Sequence, residues 1–178
     1  MDNLCTYLFD LIQNSIAAKS SFIELTILES DKLYITIKDN GHGMDNEEVH
    51  KAISPFYTTR KTREVGLGLS LIKMVTEQVE GTFNLTSVKH QGTTLELSFN
   101  HHHIDMPDIG DIGEMIYMIS IHQDVTNFIF DYFKDEQNYH YDLKEIKDVF
   151  NSTLQSYSIM KGLIASINKE IETLRGKT

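Results

Sequence analysis

With a single cysteine, Cys5, the chain of 178 residues can form no internal disulfide. This suits a reducing cytoplasm, and Cys5 itself reads as a small buried hydrophobe. The chain also lacks any run of about 18 apolar residues, and its first residues lack the basic start, apolar stretch and small-residue cleavage site of an export signal. A soluble cytoplasmic protein with no membrane partner is the expectation. Positive charge is scarce: 16 Lys and Arg against 26 Asp and Glu leave a formal charge of -10. That balance repels a phosphate backbone and argues against a nucleic-acid partner. An anionic ligand would need cations gathered locally, as at Arg60, Lys61 and Arg63.

What remains is an ordinary globular composition, 40% hydrophobic and 24% charged, sufficient for one main core. Leu4, Leu8, Leu11 and Ile12 repeat at helical spacing over 2–18, with Asp2 or Asn3 as N-cap. Asp10 and Asn14 share a face of this helix that points away from the apolar stripe. Two alternating segments, 22–28 and 33–38, predict a hairpin turning at 29–32. The second runs into Asp39-Asn40-Gly41-His42-Gly43-Met44. Residues 45–65 carry Pro55 and read mostly as a long loop, with a short helix near 46–53; loops of that length are usually functional. Leu67, Leu71, Ile72, Val75 and Val79 mark a helix closed by Gly81 as its C′ glycine, and 83–88 with 93–99 predict a second hairpin. Beyond His101-His102-His103, where adjacent side chains diverge and a loop is expected, four apolar patterns read as helical. They are Ile112/Met115/Ile116/Ile119, Val125/Phe128/Ile129/Tyr132/Phe133, Leu143/Ile146/Val149/Phe150 and Leu163/Ile167/Ile171/Leu174. Asp142 with Glu145 matches a capping box.

Three segments are suited to chemistry, though each also has a plain reading. A carboxylate at Asp39 can accept the exocyclic amine of adenine while Gly41 and Gly43 let the backbone approach a base; an Asp-Asn-Gly turn also simply joins elements. Gly66-Leu67-Gly68-Leu69 meets a helix start where free N–H groups could face phosphate, or it is only a flexible loop. Asn14 offers a hard amide oxygen for Mg²⁺ and Asp10, one turn earlier, a carboxylate to orient an attacking group; a solvated helix face has the same composition.

Taken in order, these segments resemble the nucleotide site of the family that joins gyrase, Hsp90, histidine kinases and MutL. Asp10-Leu-Ile-Gln-Asn14-Ser15 is similar to its N box, Asp39 to Gly43 to its first glycine box and Phe56-Tyr-Thr-Thr-Arg60 to the F box of histidine kinases. Gly66 to Leu69 is similar to its second glycine box, and Gly92-Thr93 to its Gly-Thr signature. The resemblance implies an α/β two-layer sandwich of helices on a mixed β-sheet over 1–100, followed by a helical extension over 101–178, regulatory or dimerising. It implies ATP and Mg²⁺ as ligands, with Asn14 on Mg²⁺, Asp39 on adenine, Thr93 supporting Asp39 through water, and Gly66 and Gly68 around the phosphates. Met44, Phe56, Thr59, Arg60, Lys61, Leu67 and Leu69 complete the expected nucleotide contacts.

The sequence also departs from the family pattern. Glu64 replaces a frequent glycine, Ala17 a frequent acidic residue, and Asp10 stands between the Asn of histidine kinases and the Glu general base of the gyrase-like ATPases. The N-box-like helix opens almost at Met1, so an ordinary complete sensor kinase is not expected. His122-Gln123-Asp124-Val125 is faintly similar to a phosphoacceptor sequence but follows the ATP segment, and a surface or packing histidine is the expectation. From Thr58 to Leu69 and again at His103-Ile104-Asp105 and Tyr141-Asp142, the chain is also similar to small stand-alone ATP-binding proteins of anaerobic bacteria. The expected activity is phosphoryl transfer to a separate protein or ATP hydrolysis, with Asp10 as the catalytic residue. The alternative is a non-catalytic, ATP-gated interaction module. The apolar stripes of the tail suit packing on the sheet or pairing of two subunits.

Overall fold

A computed structural model describes residues 3–54 and 68–176. Helix α1 (Leu4–Ala17) starts where Asn3 caps the Thr6 N–H and buries Leu4, Leu8, Leu11 and Ile12, as their spacing requires. β1 (Phe22–Glu29) and β2 (Leu33–Asp39) follow as an antiparallel pair. Asp45 and Glu48 form a reciprocal capping box on the short helix α2 (Asn46–Ala52). Then come α3 (Gly68–Gln78), β3 (Thr82–Val88) and β4 (Gly92–Phe99). The tail supplies α4 (Ile112–Ser120), β5 (Asn127–Lys134), β6 (Gln137–Asp142), α5 (Leu143–Phe150) and α6 (Tyr157–Leu174).

The six strands form one sheet in the order β3-β4-β2-β1-β5-β6. Only β1 and β5 run parallel, so the sheet is mixed as expected. Alternate residues of its central strands, among them Ile23, Leu25, Ile35, Ile37, Leu97 and Phe130, enter one core with Leu4, Leu8 and Ile12 of α1 and Ile116 and Ile119 of α4. Their neighbours in the strands, such as Glu24, Thr26, Tyr34, Lys38 and Glu96, stay on the outer face, which gives two layers.

Three local readings need correction. The stretch Val125 to Phe133 is not a helix: Phe128, Phe130 and Tyr132 alternate into the core as β5, in register with Ile23, Leu25 and Ile27 of β1. A short apolar run rich in Phe and Tyr satisfies either period, and here the open edge of β1 decides it. The residue that turns α3 off is Glu80, with φ 57, rather than Gly81. The Glu80 and Gly81 N–H groups bond back to Glu77 and Thr76, and a Cβ on Gly81 would sit 1.9 Å from the Ser98 carbonyl, so glycine is needed there for close approach. Asp142 caps α5 through the Lys144 N–H instead of closing a capping box with Glu145.

The end of α6 is tied to the sheet by Glu29, which accepts hydrogen bonds from Arg175 at 3.0 Å, Lys134 at 3.0 Å and the Tyr132 hydroxyl. Burial pushes the Glu29 carboxyl up, but the Tyr132 and Lys134 hydrogen bonds and the Arg175 charge outweigh it and hold it below the usual carboxylate range.

The strand assignment predicts that Phe130→Ala lowers unfolding free energy by about 3–5 kcal/mol, and that Phe133→Ala, on the outer face, costs roughly 1 kcal/mol or less. Urea denaturation checks this; the reverse ranking would restore a helix. Glu29 adds a pH dependence. With its folded value depressed, its stabilisation is complete above the unfolded carboxylate range and fades as pH falls from about 5 toward 3. Glu29→Gln should be less stable at neutral pH and lose less stability over that interval.

Candidate functional site

At the C-terminal end of β2 the Asp39 side chain is 8% exposed, and a buried carboxylate must be hydrogen-bonded to persist. One oxygen accepts the Ser15 hydroxyl of α1 at 2.7 Å, and the other accepts the Gly41 N–H at 2.9 Å. Each bond uses one lone-pair position, so both oxygens keep acceptor capacity for a donor arriving from outside. The Asn40 side chain next door accepts the N–H groups of Ser21 and Phe22, both at 2.9 Å, and so fixes the end of β2 against the start of β1.

The turn after Asp39 is confined between the end of α1 and the β3–β4 turn. His42 donates its N–H to Ala18 at 3.0 Å, and its carbonyl receives the His90 N–H at 2.7 Å. Neither glycine can be replaced in place: a Cβ on Gly41 would lie 2.8 Å from that of Ala18, and one on Gly43, at φ +61, would lie 2.0 Å from the Val88 carbonyl. Ser87 on β3 joins the remaining pieces. Its hydroxyl oxygen accepts the Met44 N–H at 2.8 Å and lies 3.0 Å from the Gly92 carbonyl and 2.9 Å from the Thr93 hydroxyl. Thr93 stands directly opposite Asp39 in the β2–β4 ladder.

Asp10 and Asn14 are exposed on α1, and α3 begins beside them. A Cβ built on Gly68 would lie 3.8 Å from the Asp10 Cβ and 4.0 Å from the Asn14 amide nitrogen. The opening turn of α3 therefore faces the polar side of α1, and its N–H groups are of the kind a helix leaves for an anion. Leu69 is half-buried and packs on the core. Ser15, which holds Asp39, directly follows Asn14, which lies beside Gly68, so α1 links the Asp39 carboxylate and the start of α3 through adjacent residues.

Of the residues singled out in the sequence, Asp10, Asn14, Asp39, Gly41, Gly43, Met44, Gly68, Leu69 and Thr93 belong to this neighbourhood. Phe56, Thr59, Arg60, Lys61, Gly66 and Leu67 lie outside the described residues. Ser15 and Ser87 went unrecognised, since each reads as an ordinary polar residue of a helix or strand. The signal for Ser15 was its place next to Asn14 on the turn that meets the core. His122 serves its own turn, its ring nitrogen accepting the Asp124 N–H at 3.2 Å. Cys5 is buried with its thiol pushed up to about 12 by burial and then by the charges of Asp111 and Glu114, which leaves it inert as expected. Among the described residues no helix is long and apolar enough to cross a membrane.

Residues 2–103 match the model of the histidine kinase-, DNA gyrase B- and HSP90-like ATPase family. A sensor histidine kinase of Bacillus subtilis, YxdK, is 30% identical over 88 residues, covering 47% of this chain and 27% of the relative. The sensor protein CiaH of Streptococcus pneumoniae is 32% identical over 105 residues, 54% of this chain and 23% of the relative. The chain thus spans about a quarter of the length of these two relatives. The N-terminal domain of a DNA repair protein superposes with a TM-score of 0.59 at 17% identity, covering 86% of this chain and 58% of that one. This last likeness shows the fold alone, and its extent is too large to come from residues 2–103 without the tail.

Removing the Ser15 hydroxyl leaves one Asp39 oxygen short of a partner in a buried place. Ser15→Ala should therefore cost about 1–3 kcal/mol of stability, whereas Thr6→Ala, on an exposed turn of the same helix, should cost less than about 1 kcal/mol. Equal losses in urea denaturation would remove Ser15 from the site.

Proposed function

Because the chain belongs to the histidine kinase-, DNA gyrase B- and HSP90-like ATPase family, we propose that it binds ATP with Mg²⁺ and transfers the terminal phosphoryl group to a separate protein or to water. The observation that carries the reading is the arrangement along α1: Ser15 bonds to the buried Asp39, while Asp10 and Asn14 stand against the Gly68 start of α3. On this reading the base lies at Asp39 and the phosphates at the start of α3, with α1 linking the two.

In this reading the spare acceptor capacity of Asp39 receives the adenine amine, and Gly41 and Gly43 let the turn beside it lie close against Ala18 and Val88, where side chains would clash. The N–H groups opening α3, joined by Arg60 and Lys61, hold the phosphates. The donor set suits Mg²⁺, since Asn14 carries a hard amide oxygen one helical turn from the Asp10 carboxylate and Gly68 adds no side chain beside them. When bound, the ion neutralises phosphate charge. Asp10 orients the attacking hydroxyl, imidazole or water and accepts its proton. Thr93 with Ser87 holds the strand end opposite Asp39 in place.

Calorimetry with an ATP analogue tests the adenine contact. Asp39→Asn retains an oxygen to accept from Ser15 or Gly41 but loses the charge, and affinity should fall about 10- to 100-fold, as loss of a charge-assisted hydrogen bond implies. Unchanged affinity in a variant that melts normally would end the assignment. Asp10→Asn should bind ATP as the parent does yet lose turnover by roughly 100-fold or more. Turnover is read as labelled phosphate released or carried to a partner. If Asp10→Asn keeps full turnover, or if the parent binds but never turns over, an ATP-gated interaction module becomes the better description.

A further inference from the structure

A cleft opens at the end of the sheet away from Asp39. β1 ends there at Glu29, β2 begins there at Leu33 and β5 ends there at Lys134. It has a volume of about 570 Å³, with Glu29, His101, His102, Asp108, Asp135 and Arg175 in its wall. Lys134 and Arg175 are engaged by Glu29. The two histidines have no part in the nucleotide site.

Side chains of neighbouring residues diverge in an extended chain, and divergence was the expectation for His101-His102-His103. The turn after β4 brings two of them together instead. The rings of His101 and His102 are 4.3 Å apart and nearly perpendicular at 82°, with their Nε2 atoms 3.0 Å from each other. The backbone holds this turn independently of the rings, through the His102 N–H on the Asn100 side chain at 3.2 Å and the His103 N–H on the Asn100 carbonyl at 3.0 Å. His103 is directed elsewhere, its Nδ1 accepting the Asp105 N–H at 3.1 Å.

Two imidazole nitrogens at that spacing either share a proton or offer two lone pairs to one cation. With metal–nitrogen bonds of about 2.0–2.1 Å, a 3.0 Å separation subtends roughly 94° at the metal, whereas a tetrahedral ion would set the nitrogens about 3.3 Å apart. A near-right angle is the cis angle of tetragonal copper(II) or nickel(II). The geometry points to a two-histidine chelate for such a divalent transition-metal cation, formed by His101 and His102 at the end of the sheet remote from the nucleotide. Both Nε2 atoms must be unprotonated to ligate, so the proton in the ring contact moves to an Nδ1 or to solvent. Among the described residues no set of three or more His, Cys, Asp or Glu converges on one point, and water fills the other positions. Asp108 and Asp135 in the wall, with the formal charge of -10, favour cations there.

The test uses copper(II) and nickel(II) ions alone, titrated into the full chain without nucleotide, so its outcome is separate from that of the ATP reading. Calorimetry should give one ion per chain, and copper(II) electron paramagnetic resonance should show two imidazole nitrogens. His101→Ala and His102→Ala should each weaken binding at least about tenfold, while His50→Ala on α2 leaves it unchanged. Thermal unfolding without metal reports whether each variant still folds. Parental affinity in a folded double variant, or no saturable binding up to about 100 µM free ion, would overturn the proposal.

Discussion

A carboxylate out of water is tolerable only when its oxygens are occupied, and most of this site follows from meeting that condition at Asp39. Ser15 must present its hydroxyl from α1, which fixes how α1 lies across the ends of β1 and β2. Gly41 must present its N–H, which bends the chain back toward Asp39 immediately after β2 and presses it against Ala18. That bend leaves no room for side chains at Gly41 or Gly43, and it brings Met44 to Ser87 on β3. Gly92, whose Cβ would lie 1.9 Å from the Asp39 carbonyl, closes the same knot from β4. One charge, held in place, accounts for three loops at one end of the sheet.

The same bonds bear on function, because they leave the carboxylate fixed and incompletely used. A carboxylate free to rotate would lose entropy on binding, whereas one already held by Ser15 and Gly41 has lost it during folding. The polar side of α1 differs: Asp10 and Asn14 are exposed, and under the proposed function this is where an ion and phosphates, hydrated until then, would meet. Under the proposed function the buried, hydrogen-bonded Asp39 takes the planar base and the exposed Asp10–Asn14 face takes the charge, little more than one turn of helix apart.

Much of this was legible. Period-two alternation located β1, β2, β3 and β4, and the Leu4/Leu8/Leu11 stripe located α1, because burial on one face imposes those periods whatever the partners are. The Asp10–Asn14 and Asp39–Gly43 segments and Gly68 were singled out from their order in the sequence; the structure sets Gly68 beside Asp10 and Asn14 and ties Asp39 to the next residue of α1, Ser15. The misreadings share a cause, namely reliance on a local signal where a distant partner decided. Val125 to Phe133 suits either period until the free edge of β1 selects a strand. Lys19 and Glu80, at φ 60 and 57, take left-handed positions that the sequence offers no glycine for, since tertiary packing outweighs a strain of about 1–2 kcal/mol. Ser15 is indistinguishable from any helical serine until Asp39 is brought to it across 24 residues.

The tail is joined to the site through α1 as well as through the sheet. The first turn of a helix leaves N–H groups without helical partners, and in α1 two of them, on Leu4 and Cys5, donate to the carbonyls of Asp108 and Ile109 at 2.9 and 2.8 Å. Gly110 passes so close to Asn3 that a Cβ would lie 2.5 Å from the capping side chain. Further along, α4 packs on α1 and α6 packs on α4, while β5 extends the sheet beside β1. The helix that carries Asp10, Asn14 and Ser15 is therefore held at its start by residues 108–109 and along its length by α4. A change that shifts α4 or the 108–110 segment has a short mechanical route to Asp10, two turns into α1, without passing through the strands that hold Asp39.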